Sequence, residues 1–147
     1  MREINIELGS DPANVVVARM AAAAFIAPLD PSVGEVTEVK TAVSEAVTNA
    51  MIHGYGEGEG VVRILMRLEE DFLTIAISDD GVGIQNVAQA REPLFTSKPE
   101  LERSGLGFTM MENFMDILEV ESSPGCGTQV VMAKRLNLIR LASAANA

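Results

Sequence analysis

Between Asp30-Pro31 and Gly54, the residues Val36, Val39, Val43, Val47, Ala50 and Met51 recur at three- and four-residue spacing. That is the period at which side chains return to one side of an α-helix, so the segment predicts a long helix from near Ser32 to Gly54. An apolar stripe of this length has to be buried against a second element. Gly54 reads as the helix stop, and Pro28 and Asp30-Pro31 close whatever precedes Ser32.

The remaining elements supply the surface on which such a helix can pack. Arg2 to Leu8 alternates polar and apolar like a strand with one buried face, and Asp11-Pro12 reads as an N-cap and first-turn proline for a helix over Pro12 to Ala27. After a glycine-rich connector, Gly54 to Gly60, which reads as flexible, Val61 to Leu68 and Phe72 to Ser78 form a hairpin about Glu69-Glu70-Asp71. Gln85 to Arg91 predicts a short helix, Glu92 to Ser104 an irregular lid-like segment, and Gly105 to Met115 a further helix. Ile117 to Ser122 and Thr128 to Ala133 read as strands about the Ser123 to Gly127 turn, and Leu136 to Ala147 as a weakly helical, fraying tail. The sum is an α+β protein, a two-layer α/β sandwich with a mixed, mainly antiparallel sheet and helices on one face. At 147 residues and 48% hydrophobic content, residues 1–147 suffice for one domain.

Charge and cysteine usage exclude several functions. A net charge of −10 disfavours direct nucleic-acid binding and favours basic partners. Cys126 is the only cysteine and lies far from any metal-ligand spacing. The most apolar stretch, Val15 to Leu29, contains Arg19 and Pro28 and is too short to span a bilayer. The alternating start lacks a signal-peptide core, so the expectation is a soluble, cytoplasmic chain without membrane contact.

Three polar groupings stand out against this frame. Asp79-Asp80-Gly81-Val82-Gly83 ends an apolar run, where one carboxylate can face a ligand while the glycines let backbone pass close. Glu45 and Asn49, four apart, project from the same side of the long helix; a Glu can accept a proton and an Asn carbonyl can bind Mg²⁺. Gly105 and Gly107 open a helix whose first turn can present N–H groups to phosphate, with Arg103 and Lys98 nearby. Each has an ordinary alternative: an acidic turn, a solvated helix face, a flexible helix start. Taken in this order they describe a nucleotide pocket. It is not a P-loop, because no Gly-x-x-x-x-Gly-Lys-Ser/Thr occurs, and the His-Arg-Asp and Asp-Phe-Gly kinase signatures are absent.

Glu45-Ala-Val-Thr-Asn49-Ala, Asp79-Asp-Gly-Val-Gly83, Gly105-Leu-Gly107 and Gly127-Thr128 resemble, in order and spacing, the boxes of the GHKL, or Bergerat-fold, ATPases and kinases. Over Arg2 to about Lys134 the likeness runs to the sporulation anti-sigma branch of serine kinases, through Ser44 to Tyr55 and Pro93 to Phe108. The resemblance implies an ATP-dependent protein serine kinase that uses ATP/ADP and Mg²⁺. It would bind and inhibit sigma factor F of RNA polymerase, and would phosphorylate an anti-anti-sigma factor on a serine. Asn49 would hold Mg²⁺, Glu45 would act as the base, and Asp79 would take the adenine amine. Gly81 and Gly83 belong to the adenine box, with Gly83 letting the ring approach. Arg103, Ser104, Gly105, Leu106 and Gly107 would wrap the phosphates, and Thr128 would contact the adenine side through its hydroxyl. The resemblance further implies a homodimer and a partner-contact role for Arg19, the only charge between Asp11 and Asp30; the alternative for Arg19 is a stem lying along an apolar face. Two other readings stay open, a binding-only anti-sigma module and a kinase of a related stress pathway. His53 reads as a packed structural histidine.

Overall fold

The computed structural model describes residues 1–56, 58–93 and 106–137. Five strands, β1 (Arg2–Gly9), β2 (Val61–Glu69), β3 (Phe72–Asp79), β4 (Ile117–Ser122) and β5 (Thr128–Arg135), form one sheet in the order β1-β2-β3-β5-β4. Every pairing is antiparallel, which narrows the expected mainly antiparallel sheet to a wholly antiparallel one among the described residues. Four α-helices accompany it among the described residues: α1 (Asn14–Ile26), α2 (Val33–Asn49), the single turn α3 (Val87–Ala90) and α4 (Gly107–Phe114).

Strand register explains which face the helices cover. The cross-strand set Leu8↔Val62, Ile6↔Ile64, Ile64↔Ile77 and Ile77↔Val130 lies on one face, and Val62, Ile64, Met66, Leu73, Ile75, Ile77, Val130 and Met132 are buried there. Against them pack Val39, Val43 and Val47 of the predicted stripe, with Ala42 and Ala46 between them. On α1, Ala18, Ala22, Phe25 and Ile26 complete the layer. No helix among the described residues is long and apolar enough to cross a membrane.

Both ends of α2 depart from the simplest expectation. At its start Ser32 and Glu35 form a capping box: Ser32 Oγ accepts from Glu35 N–H at 3.1 Å, and Glu35 Oε1 accepts from Ser32 N–H at 2.9 Å. The second oxygen of Glu35 accepts from Asn137 N–H at 2.6 Å, so the residues after β5 are fastened to the head of the helix. At the other end Gly54 is not a left-handed cap; the helix widens into a π-turn, Ala50–Tyr55, and the chain reverses at Gly56 with φ 61°. Asp11 likewise sits outside α1, accepting from Ala13 N–H at 2.9 Å in the turn before it, because the Pro12-Ala13 turn precedes the first helical residue.

Lys134 is a buried cation on the helix-covered side of β5. Its Nζ donates to the Phe114 carbonyl at the end of α4 and pairs with Glu38 of α2, both at 2.9 Å, so one side chain fixes two helices to the sheet.

Replacing Glu35 by Ala removes half of the capping box and the acceptor of Asn137 N–H together. The variant should lose about 1–2 kcal/mol, more than an isolated cap of this kind, as read from the urea midpoint at unchanged m-value.

Candidate functional site

The site is assembled at one end of the sheet. Asp79, the last residue of β3, follows the inward parity of Ile75 and Ile77, and its side chain is therefore carried under the helix layer, only 6% exposed. Thr128 lies directly opposite it on β5, and Ser122 lies opposite Thr128 on β4. The Asp79 carboxylate accepts from Gly81 N–H at 2.9 Å. Burial pushes its pKa up; the Gly81 amide opposes this, Asp80 adds to it, and Arg63 and the Thr128 amide oppose it more weakly.

Its neighbour is handled in the opposite way. Asp80 points to solvent and forms a two-pronged pair with Arg63 at 2.8 and 2.9 Å, and that hydrogen bonding lowers its pKa. Strand alternation thus separates the two carboxylates into one buried and one paired in water.

Beneath this loop runs the π-turn that ends α2. A Cβ on Gly54 would stand 2.7 Å from Asp79 Oδ1, and one on Gly81 would stand 2.1 Å from the Gly54 carbonyl oxygen, so both positions must be glycine for the backbones to touch. The Gly54 carbonyl accepts from Val82 N–H at 2.9 Å. Tyr55, the only tyrosine in the chain, accepts from Asp80 N–H at 2.8 Å and donates to the Val61 carbonyl at 2.7 Å, pinning the loop to the head of β2. The connector expected to be flexible is therefore tied at its described ends, and Ser10 adds bonds to Gly60 at 3.0 and 3.1 Å. Such π-turns concentrate at functional sites. His53 lies within this turn, half-buried.

Gly83, expected to let a ring approach, has φ +77°, and a Cβ there would meet the Ser123 carbonyl oxygen at 2.0 Å. Its glycine is demanded by the packing of the Val82–Ile84 loop on the Ser123–Gly127 turn, whose Gly125 N–H donates to the Val82 carbonyl at 2.7 Å.

Glu45 and Asn49 do converge. Both are half-buried beside the α2 stripe, and a Cβ on Gly107 would lie 3.2 Å from Glu45 Oε2 and 3.2–3.3 Å from the Asn49 amide atoms. The start of α4 thereby rests on the Glu45 carboxylate and the Asn49 amide. Leu106 stands at the N-cap of α4, so the amino-terminal end of this helix, where the dipole carries partial positive charge, lies beside Glu45 and Asn49 of α2. Arg91, paired with Glu112, ties α3 to α4. Arg103, Ser104 and Gly105, and the tail after Asn137, lie outside the described residues.

Arg19 is not among the residues brought together. It is half-buried on α1, whose outer side exposes Val16, Val17 and Met20 by about half. Sequence reasoning missed Gly54, Tyr55 and Ser122. The signal for Ser122 was its parity: it is the polar end of the inward set Leu118, Val120, Ser122.

No cluster of three or more His, Cys, Asp or Glu among the described residues could hold a metal. The donor set still fits Mg²⁺ in a nucleotide site, where one or two protein oxygens are supplemented by phosphates and water, and Asn49 offers one such oxygen.

This α/β sandwich, with an acidic strand end, a helix-borne Glu and Asn and a glycine-led helix around one cleft, is the architecture of a nucleotide-binding ATPase fold. Residues 8–134 match the family model of the histidine kinase-like ATPase domain, and the chain belongs to that family. It is 56% identical over 138 residues to a Clostridium beijerinckii protein named anti-sigma F factor, covering 93% of this chain and 96% of the relative. A Bacillus licheniformis protein of the same name is 54% identical over 136 residues, covering 92% and 93%. In fold, the chain is similar to a solved structure of the RsbU and RsbW domains of a Mycobacterium tuberculosis protein, with a TM-score of 0.66 at 19% identity, covering 92% of this chain and 33% of that one.

Burial of Asp79 sets a pH signature. Its pKa is raised above 3.8 by folding, so the folded state loses stability as pH climbs through the raised value, and the loss persists at neutral pH. Asp79→Asn should therefore match or exceed the parent Tm at pH 7, with the difference shrinking towards pH 4 in calorimetry.

Proposed function

We propose that this protein is an ATP-dependent protein serine kinase which binds and inhibits sigma factor F and phosphorylates an anti-anti-sigma factor on a serine, acting in the cytoplasm. The observation that carries the reading is the convergence of Glu45 and Asn49 on Gly107 at the start of α4, in the same end of the fold as buried Asp79. The names of its relatives supply the sigma factor.

Each residue has a task that its surroundings support. Asp79, buried and acceptor-only when ionised, takes the amine of adenine, and Thr128 flanks it. The first turn of α4, with Leu106 and Gly107, directs amides and the helix dipole at phosphate oxygens; Arg103, Ser104 and Gly105 precede it in the chain. Asn49 would hold Mg²⁺, which supplies charge neutralisation at the phosphates when bound. Glu45 orients the substrate serine and accepts its proton as the serine oxygen bonds to the γ-phosphorus and the bond to ADP breaks. Phosphoryl transfer asks mainly for such positioning, which a carboxylate held beside a fixed helix start provides.

In this reading the partner surface is on α1. Arg19, set among half-exposed Val16, Val17 and Met20, combines a charge with apolar area, the composition of an interface anchor. We also propose a homodimer; β1 is an edge strand, and an uncovered edge is a ready pairing surface. Sedimentation of the free chain at twice the monomer mass is the expected result.

With radiolabelled ATP, Mg²⁺ and the anti-anti-sigma protein, label should appear on a partner serine. Glu45→Gln should reduce transfer by about a hundredfold or more while ADP affinity stays within a few-fold. Transfer at the parent rate would remove Glu45 as the base, and tight nucleotide binding without any transfer would favour a binding-only module. Arg19→Glu should leave ADP binding intact and weaken capture of both protein partners; unaltered affinities for both would refute its role.

A further inference from the structure

Ser122 Oγ makes three short contacts at the junction of β4, β5 and the loop after β3. It accepts from Ile84 N–H at 2.7 Å, donates to the Gly127 carbonyl at 2.8 Å and lies 2.8 Å from Thr128 Oγ1. A hydroxyl has one hydrogen and two lone pairs. A carbonyl oxygen cannot supply a proton, so the contact with Gly127 consumes the single hydrogen of Ser122. The amide of Ile84 occupies one lone pair, and the hydrogen bond to Thr128 must then be donated by Thr128. The proton of the Thr128 hydroxyl is thus turned towards Ser122 and away from the cleft.

Thr128 stands directly opposite Asp79 across the β3–β5 ladder. What it offers a ligand beside the Asp79 carboxylate is an oxygen with lone pairs only. Two adjacent acceptors suit a group that carries hydrogens, such as the exocyclic amine at position 6 of a purine, and repel the carbonyl that replaces it in a 6-oxopurine. A pocket whose threonine proton were free could turn that proton to an oxo group and so accept both.

We propose that Ser122 is a positioning residue that fixes the polarity of the Thr128 hydroxyl and thereby makes the site select 6-aminopurine over 6-oxopurine nucleotides. This rests on the nucleotide-site reading above. Removing the Ser122 hydroxyl frees the Thr128 proton and strips Ile84 N–H and the Gly127 carbonyl of a partner. The loss is therefore larger for the amino ligand than for the oxo ligand.

The test is calorimetric titration of ADP and IDP into the intact chain. Parent protein should prefer ADP. Ser122→Ala should weaken ADP about tenfold, and the ADP-to-IDP affinity ratio should fall at least about fivefold. Ser122→Thr, which keeps a hydroxyl at that position, should restore the ratio to within about twofold of the parent. Thr128→Val should lower the ratio as well, and adding Ser122→Ala to it should lower the ratio no further, since Ser122 acts through Thr128. An equal loss of ADP and IDP in Ser122→Ala, or a further fall of the ratio in the double variant, would overturn the assignment and leave Ser122 as scaffolding. Should Ser122→Ala not fold, an unchanged ratio in Thr128→Val overturns it independently. Parent protein that binds neither nucleotide would instead overturn the nucleotide-site reading, and this assignment with it.

Discussion

The backbone of Gly54 touches the side chain of Asp79 and the backbone of Gly81, and that contact fixes the relation between the two halves of the site. Glu45 and Asn49 lie on α2, whose π-turn ends on this contact, and Asp79 lies on the strand it presses against. With no side chain at Gly54 or Gly81, helix end and strand end close to a separation that any Cβ would prevent. Tyr55 and Val82 then hydrogen-bond across the same seam, so the end of α2 and residues 79–83, distant in sequence, are tied together. Gly107 brings the start of α4 close to the Glu45 and Asn49 side chains of α2, and Lys134 holds α2 and α4 to the sheet.

The second constraint is electrostatic. In a chain of net charge −10, a carboxylate buried at the end of β3 lies against the interest of stability, and its raised pKa records that cost. Amides of Gly81 and Thr128 offset part of it, while Asp80, one residue on, escapes to Arg63 and water. Adjacent carboxylates pushed in opposite directions by their surroundings usually have different tasks. In the proposed site the buried one faces the ligand, and the exposed one braces the loop through Arg63.

Much of this was legible in the sequence, for reasons that differ element by element. The valines of α2 and the alternation in β2 and β3 announce themselves through period, because one apolar layer buries them all. Asp79, Glu45 and Asn49 were visible as polar residues at defined places on those elements. Gly54 was visible only as a helix stop, since nothing local says that its missing side chain serves a strand 25 residues later. Tyr55, Ser122 and Lys134 were illegible for the same reason: each acts through partners brought close by the fold, such as Ile84 at a separation of 38 residues from Ser122. The phosphate-wrapping roles expected of Arg103, Ser104 and Gly105 fall on residues outside those described.

An acidic protein of a family that binds a polyanionic nucleotide has to separate long-range from short-range electrostatics. At a distance the net charge of −10 opposes phosphate and attracts basic protein surfaces, and both effects fade over a Debye length of about 8–10 Å in physiological salt. Inside the cleft the relevant groups are amides at the start of α4 and oxygens of known hydrogen content, which act at contact range and are screened far less. Under the proposed function, selection of the base and retention of the phosphates would therefore rest on fixed dipoles, whereas the approach of a protein partner to α1 would be governed by the field of the whole molecule. In the proposed reading the two lie on different helices, α4 for the ligand and α1 for the partner, and α2 packs between and touches both helices.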